Sequence, residues 1–480
     1  MSVKIIPKNF SKNEFQTEKY AKAPDKRKTE AVWLRLWQGQ EDSNPRPTVF
    51  NMSDVAVVGK FGADTSLGSV GSTTMIVNLF TGFMLGIGGG VNAIVARKFG
   101  AKDEEGVKTS VNTAFYMSLA IGVILLIAGL IVARPFLNLL GTKSELIDGA
   151  HAYLKIYFWG MPALALYNFG QGVLSAMGDT KKPLIFLLIS GVTNVLLNLF
   201  FVIVMKLDVK GVAIATIISL YLSATLILVS LIKVKDVYRL TANLKLFDTT
   251  ALKNLLVLSV SAGLQNSIFA VANLFIQSAV NTFDAVIVSA NSAAQNLDPL
   301  VYDVMAAFYT AATSFVAQNY GAMNKERVKK SYIAALTFSA VSAIVLGAGF
   351  ALFGRQFLLL FTDNKAVVEE GIDRLKIMAF SYFISAFMDC SIAASRGLNK
   401  TLLPAAFAIM GSCVFRIIWI YTVFAHFNTL ASLYLLYAFS WSITGISETV
   451  YFVYVYKKTF KNAPAKPIDG GVEISQSENQ

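Results

Sequence analysis

The residue types that most often carry chemistry are nearly absent from this chain. Among 480 residues there are two cysteines and two histidines. Cys390 and Cys413 both fall in apolar runs, which excludes a CxxC motif, a His–Cys cluster and a disulfide framework. His151 and His426 are far apart in sequence, each at the end of an apolar run, so neither suggests a metal site or a triad. Charge is scarce too, at 15% of residues. Ordinary soluble domains carry about 25%. No HExxH motif, no Ser/Lys or Asp/Asp dyad in paired helices and no large soluble domain is present, so an intramembrane enzyme or receptor has little to stand on. The first fifty residues lack an apolar h-region, and nothing there reads as a cleavable signal peptide.

What the chain has instead is apolar length. Hydrophobic residues make up 55% of it. Apolar runs fall at about 67–96, 110–132, 150–176, 183–205, 210–232, 254–281, 286–317, 331–353, 372–395, 402–424 and 429–456. Each is long enough to cross a hydrocarbon core ~30 Å thick as a helix. The pattern predicts an all-α polytopic membrane protein of eleven such helices plus a stub around Asp54. The formal charge of +12 then reads as loop charge and not as a nucleic-acid surface.

Loop cations set the expected orientation. Arg97, Lys98, Lys102, Lys108, Lys181, Lys182, Lys233, Lys235, Arg239, Lys325, Arg327, Lys329, Lys330, Arg396, Lys457 and Lys458 fall on one side. The alternate loops carry fewer, and the rich side should be cytoplasmic, with the C-terminus on it. The basic segment 1–50 also prefers that side, which demands one more crossing before Lys60. The apolar stretch around Asp54 is too short for it, so the first helix is expected to be truncated or abnormal.

An internal repeat organises the rest. Arg97-Lys98-Phe99-Gly100-Ala101 matches Gln318-Asn319-Tyr320-Gly321-Ala322, and Gly178 to Pro183 matches Gly397 to Pro404. The displacement is about 220 residues and spans six helices, an even number, so matching helices share an orientation. The expected architecture is two six-helix bundles related by a pseudo-twofold axis along the membrane normal. The expected divisions are a polar segment 1–50, an N-lobe 51–232, a loop 233–253, a C-lobe 254–458 and a polar tail 459–480.

The most informative stretch runs from Met177 to Thr216. Gly178-Asp179-Thr180-Lys181-Lys182-Pro183 opens an apolar helix in which Asn194 and Asn198 lie four apart, hence on one face. The next helix opens on Gly211-Val212-Ala213-Ile214-Ala215-Thr216. Amides at membrane depth are costly unless they meet protein, water or an ion, or bond between helices. These motifs resemble those of the multidrug and toxic compound extrusion (MATE) family of secondary transporters, over about Met52 to Lys458. Asp54 followed by Gly59 matches the family's first-helix xDxxxxG pattern.

The resemblance implies a cation-binding or coupling cluster of Asp54, Asn194, Asn198 and Thr216, with Na+ held at Asp54, Asn194 and Asn198 if sodium is the coupling ion. Some relatives have Asp where this chain has Asn198, which leaves Asp54 as the expected sole ionisable member. In the second half, Gln265, Asn266, Asn273 and Gln277 stripe one helix, Asp298-Pro299 breaks another in mid-run, and Asp303 follows one turn later. Asp389 and Arg416 complete a set expected either to line a substrate cleft or to form a buried ion network, with Arg416 pairing with Asp389 or Asp298. Pro162 is expected to kink its helix, and Gly86-Ile87-Gly88-Gly89-Gly90 to allow close helix packing.

The resemblance implies a Na+- or H+-coupled antiporter of the plasma (inner) membrane. It would export drug-like, mostly cationic organic compounds by alternating access, as a monomer with no cofactor beyond the coupling ion. The alternatives are a lipid-linked precursor flippase of the same superfamily and an inactive relative without a complete first helix.

Overall fold

A computed structural model of the protein describes Asp54, Val57, Val58, Phe61, residues 65–359 and residues 364–461. The expectations for segment 1–50, for the length of the first helix and for most of the tail lie outside these residues. All four isolated residues are helical, and Asp54 is fully buried.

The described chain is helical throughout its spans. The N-lobe holds α1 (Ser66–Gly100), α2 (Glu104–Leu139), α3 (Ser144–Phe158), α4 (Met161–Ala176), α5 (Lys181–Val204) and α6 (Asp208–Lys233). The C-lobe holds α7 (Thr249–Val280), α8 (Ala285–Gln295), α9 (Asp298–Gly321), α10 (Lys325–Leu358), α11 (Lys365–Gly397), α12 (Leu402–Phe427) and α13 (Leu430–Thr459). Two of the described spans are broken. α3 and α4 meet at Trp159-Gly160, with Pro162 in the first turn of α4, where its missing N–H removes no helical bond. α8 and α9 meet at Asn296-Leu297, with Asp298-Pro299 opening α9.

Unbroken helices follow apolar composition, and the outward faces are themselves apolar. On α5, Leu188, Val192 and Leu196 are exposed at a spacing of four residues, as are Ile127 and Ile131 on α2. Such stripes suit lipid, where helices satisfy every backbone group internally. Polar residues turn inward, and Asn194, Asn198, Thr216, Ser219 and Glu448 are all buried.

The repeat is visible in backbone geometry. Left-handed residues recur at matched places: Lys102 (φ 58°) with Met323 (φ 53°), and Gly178 (φ 80°) with Asn399 (φ 63°). Asp103 caps α2 by accepting from Gly106 N–H, and Asn324 caps α10 by accepting from Arg327 N–H. Lys98 lies 2.7 Å from Asp103 and holds its carboxyl below the usual carboxylate range. α5 ends in a wide π turn at Phe200–Val204, and α12 has one at Ile420–Phe424, just before its last residues.

The lobes meet along α1. Gly86 sits so close to Gly263 of α7 that a Cβ there would lie 2.2 Å from its nitrogen, and one at Gly90 would lie 2.3 Å from Ser259 Oγ. At the basic-loop end, α1 also crosses α9. A Cβ at Gly100 would lie 1.9 Å from Gln318 O, and one at Gly321 would lie 2.0 Å from Arg97 O. These contacts are reciprocal under the repeat, as a twofold axis through the crossing requires. Ser314 Oγ donates to Asn92 Oδ1 (2.9 Å), and Gln318 Nε2 donates to Ala176 O (2.6 Å) in the same region. The connection between α6 and α7 docks on α2, where Thr241 Oγ1 and Asn243 N–H both donate to Asn112 Oδ1.

Candidate functional site

Three N-lobe helices converge on one carboxylate. α5 contributes Asn194 and Asn198, α6 contributes Thr216, and α3 contributes Tyr153. Thr216 Oγ1 donates to Asp54 Oδ2 at 2.7 Å, and Tyr153 OH donates to the same oxygen at 2.8 Å. Asn198 Nδ2 donates to Asp54 Oδ1 at 2.9 Å and to Asn194 Oδ1 at 3.2 Å. Asn194 Nδ2 donates to Thr216 Oγ1 at 3.1 Å. The relative exposure of Asp54, Tyr153, Asn194 and Asn198 is 0%, and that of Thr216 is 2%.

The four residues that the MATE resemblance selected are thus brought into one cluster inside the lobe. Tyr153 was not among them. A tyrosine in an apolar run reads as packing, and its only signal was the phenol it carries to membrane depth. Tyr157, one turn on, stacks on it with ring centroids 5.9 Å apart and belongs to the same wall. What the arrangement can do is hold either of two charge states. Its donors satisfy a carboxylate, and the hydroxyls of Thr216 and Tyr153 can also turn to accept from a carboxylic acid.

In the C-lobe the expected set divides. Arg374 of α11 grips Asp298 with Nη1 and Nη2, at 3.1 and 2.7 Å, and Tyr382 OH donates to Asp298 at 2.5 Å. The pairing expected between Arg416 and Asp298 is therefore corrected. Arg374 and Tyr382 lie eight residues apart on one face of α11 and reach the start of α9 together. Arg416 instead donates to Ser440 Oγ at 3.1 Å, approaches Asn273 Oδ1 at 3.5 Å, and lies 4.7 Å from the Tyr437 ring centroid.

The α7 stripe does not act as one surface either. Gln265 accepts from Arg396 at 2.9 Å, while Asn266 donates to Gly82 O across the lobe contact. Gln277 bonds to Asn281 at the helix end. Asp303 and Asp389 are half-buried on α9 and α11. Glu448 on α13, fully buried, was missed. It lies within the apolar run 429–456, where Ser440, Thr444 and Glu448 form a stripe at helical spacing that is the signal for it. No group of three or more His, Cys, Asp or Glu suited to a metal ion occurs among the described residues.

Comparison with known proteins gives these geometries a family. The MatE model matches residues 47–200 and 261–422. The chain belongs to the MatE family. It is similar to the probable multidrug resistance protein YpnP of Bacillus subtilis (strain 168), 29% identical over 69% of this chain and 74% of that protein. It is also similar to the FAD transporter of Shewanella oneidensis, 25% identical over 67% of this chain and 72% of that protein. Among solved structures, a MATE crystal structure in the bent conformation covers 90% of this chain and 96% of its own with a TM-score of 0.82 at 21% identity. An outward-facing MATE transporter covers 89% and 96% with a TM-score of 0.82 at 22% identity. At these identities the structures show the fold. This MatE protein is a multi-pass membrane transporter of small organic molecules and not an enzyme.

Proposed function

We propose that this transporter is a cation-coupled antiporter that exports drug-like, mostly cationic organic compounds across the plasma membrane. In this reading it works as a monomer, with the basic-loop end and the C-terminus in the cytoplasm. The observation that carries the reading is the Asp54 cluster, a buried carboxylate tied by hydrogen bonds to three helices of one lobe. A change in its charge alters the pull on α3, α5 and α6 together. An inward-moving cation that neutralises Asp54 would shift the balance between lobe conformations, and substrate would be released as the balance shifts.

Among the described residues, α1 touches the C-lobe from Leu79 to Gly100, while Ser66 and Ser69 bond to Asp208 and Leu146 of their own lobe. Lobes joined at the basic-loop end correspond, in this orientation, to an outward-facing state. Of the two coupling ions, the proton fits the hydrogen-bond pattern with only hydroxyl rotations. Sodium, a hard cation, prefers oxygen ligands, and it would need the Asn198 amide, whose Nδ2 now faces Asp54, turned to present oxygen.

The decisive experiment is Asp54→Asn. The amide keeps size and most hydrogen bonds, so the protein should insert normally. Ethidium efflux from loaded vesicles should fall at least about tenfold, a loss of ~1.4 kcal/mol or more. Full resistance in that variant would remove Asp54 from the coupling step. Efflux under separate H+ and Na+ gradients identifies the ion.

A further inference from the structure

A second buried carboxylate stands outside the Asp54 cluster, in the other lobe. Glu448 has 0% exposure, and neither side-chain oxygen has a hydrogen-bond partner among the described residues. Its place between helices is fixed by its neighbours on α13. A Cβ at Gly411 of α12 would meet Thr444 Oγ1 at 2.4 Å, a Cβ at Gly445 would lie 3.4 Å from Met388 N of α11, and Thr449 Oγ1 is 3.1 Å from Ser391 Oγ. Glu448, one turn after Thr444 and beside Thr449, therefore faces the seam of α11 and α12.

The charges around it are few. α11 presents Asp389 and Arg396. α12 presents no carboxyl or amine before Arg416, which is engaged with Ser440, two turns away along α13. α7 presents the neutral Gln265, and α13 itself adds Tyr451. Arg396 is the cation suited to neutralise Glu448, yet its Nη2 donates to Gln265 Oε1 of α7 at 2.9 Å, and no Glu448 ion pair is formed among the described residues. A bare carboxylate shut away from water without partners costs several kcal/mol. With Asp389 of like charge nearby, a proton is the neutralising partner left.

We propose that Glu448 is a proton-binding site of the C-lobe, and that Arg396 has two partners: Gln265 while Glu448 carries a proton, and Glu448 once the proton has left. The step is a simple transfer. The carboxyl O–H bond breaks, the proton passes to water admitted by the moving helices, and the carboxylate's new charge is balanced by Arg396 turning from α7 to α13. Gln265 lies two residues from Gly263, where α7 crosses α1 of the other lobe. Release of Arg396 therefore frees α7 at the contact between lobes. This site is independent of Asp54 and does not rest on the role proposed for it.

Infrared difference spectra of the full-length protein in lipid, recorded between high and low pH, test the proposal. A carboxyl C=O band should titrate in the parent protein, disappear in Glu448→Gln, and persist in both Glu448→Asp and Asp54→Asn. Glu448→Gln, which fixes the neutral form with little change of volume, should insert normally. It should lower efflux at least about tenfold and change its pH profile, whereas Glu448→Asp should retain a pH-dependent profile. Loss of no band in Glu448→Gln overturns the proposal, as does a parental pH profile of efflux in that variant. Unimpaired efflux by Asp54→Asn with the Glu448 band intact would instead sink only the coupling role of Asp54.

Discussion

Two tyrosines one turn apart on α3 show how much a single hydroxyl decides. Tyr153 OH donates to Asp54, whereas Tyr157 OH, equally buried, has no hydrogen-bond partner among the described residues. A hydrogen bond to a charged group contributes about 1.5–3 kcal/mol. Tyr153→Phe should therefore weaken the cluster by about that amount, lowering both melting temperature and efflux. Tyr157→Phe removes a phenol that already lacks a partner, so the change in stability should stay within about 0.5 kcal/mol, with efflux near that of the parent. Thermal melts and vesicle efflux on the two variants make the comparison. Equal losses would mean that ring packing, and not the bond to Asp54, matters here.

At the scale of elements, the break between α8 and α9 depends on a side chain far along the chain. Asp298 opens α9, where a carboxylate suits the helix dipole, and Pro299 follows it. Arg374, 2% exposed, closes the charge. Removing one member of a buried pair costs about 3–5 kcal/mol, because it strands the other, whereas replacing both is far milder. Arg374→Met should thus destabilise the protein strongly, Asp298→Asn should do so less, and the double variant should recover most of the loss, as measured by melting in a double-mutant cycle. Additive losses would deny the coupling.

The same element shows where sequence reading stops. Long apolar runs made the helices legible, because lipid leaves few other ways to satisfy a backbone. The break at Asp298-Pro299 and the pairing of Asn194 with Asn198 were legible from proline chemistry and helical spacing. Arg374 was not, since it opens the apolar run 372–395 between Asp373 and Lys376, and only the fold turns that one residue inward. Glu448 escaped although it lies inside an apolar run, because a single acid there carries no partner in the sequence. Which of several polar residues at a span's edge faces protein is decided by tertiary packing, and composition does not record it.

For the whole molecule, alternating access requires the crossing of α1 and α9 to open. Its closed form brings backbone against backbone, so that a Cβ at Gly100 would overlap Gln318 O at 1.9 Å and one at Gly321 would overlap Arg97 O at 2.0 Å. Neither obstacle is a flexible side chain that can swing away. Overpacking costs about 1–3 kcal/mol even where neighbours relax, and alternating conformers differ by only a few kcal/mol. Gly100→Val or Gly321→Val should therefore drive the lobes apart at the basic-loop end, shifting populations by roughly ten- to a hundredfold. The two variants should behave alike, since the repeat makes the contacts reciprocal. Ser314, buried at this crossing against Asn92, is the reporter. A cysteine there, with Cys390 and Cys413 replaced, should react slowly with a membrane-impermeant thiol reagent in the parent background. It should react at least about tenfold faster in either glycine variant, with the reagent supplied on the basic-loop side. Unchanged labelling would show that the crossing stays shut and that the lobes do not part along α1 and α9.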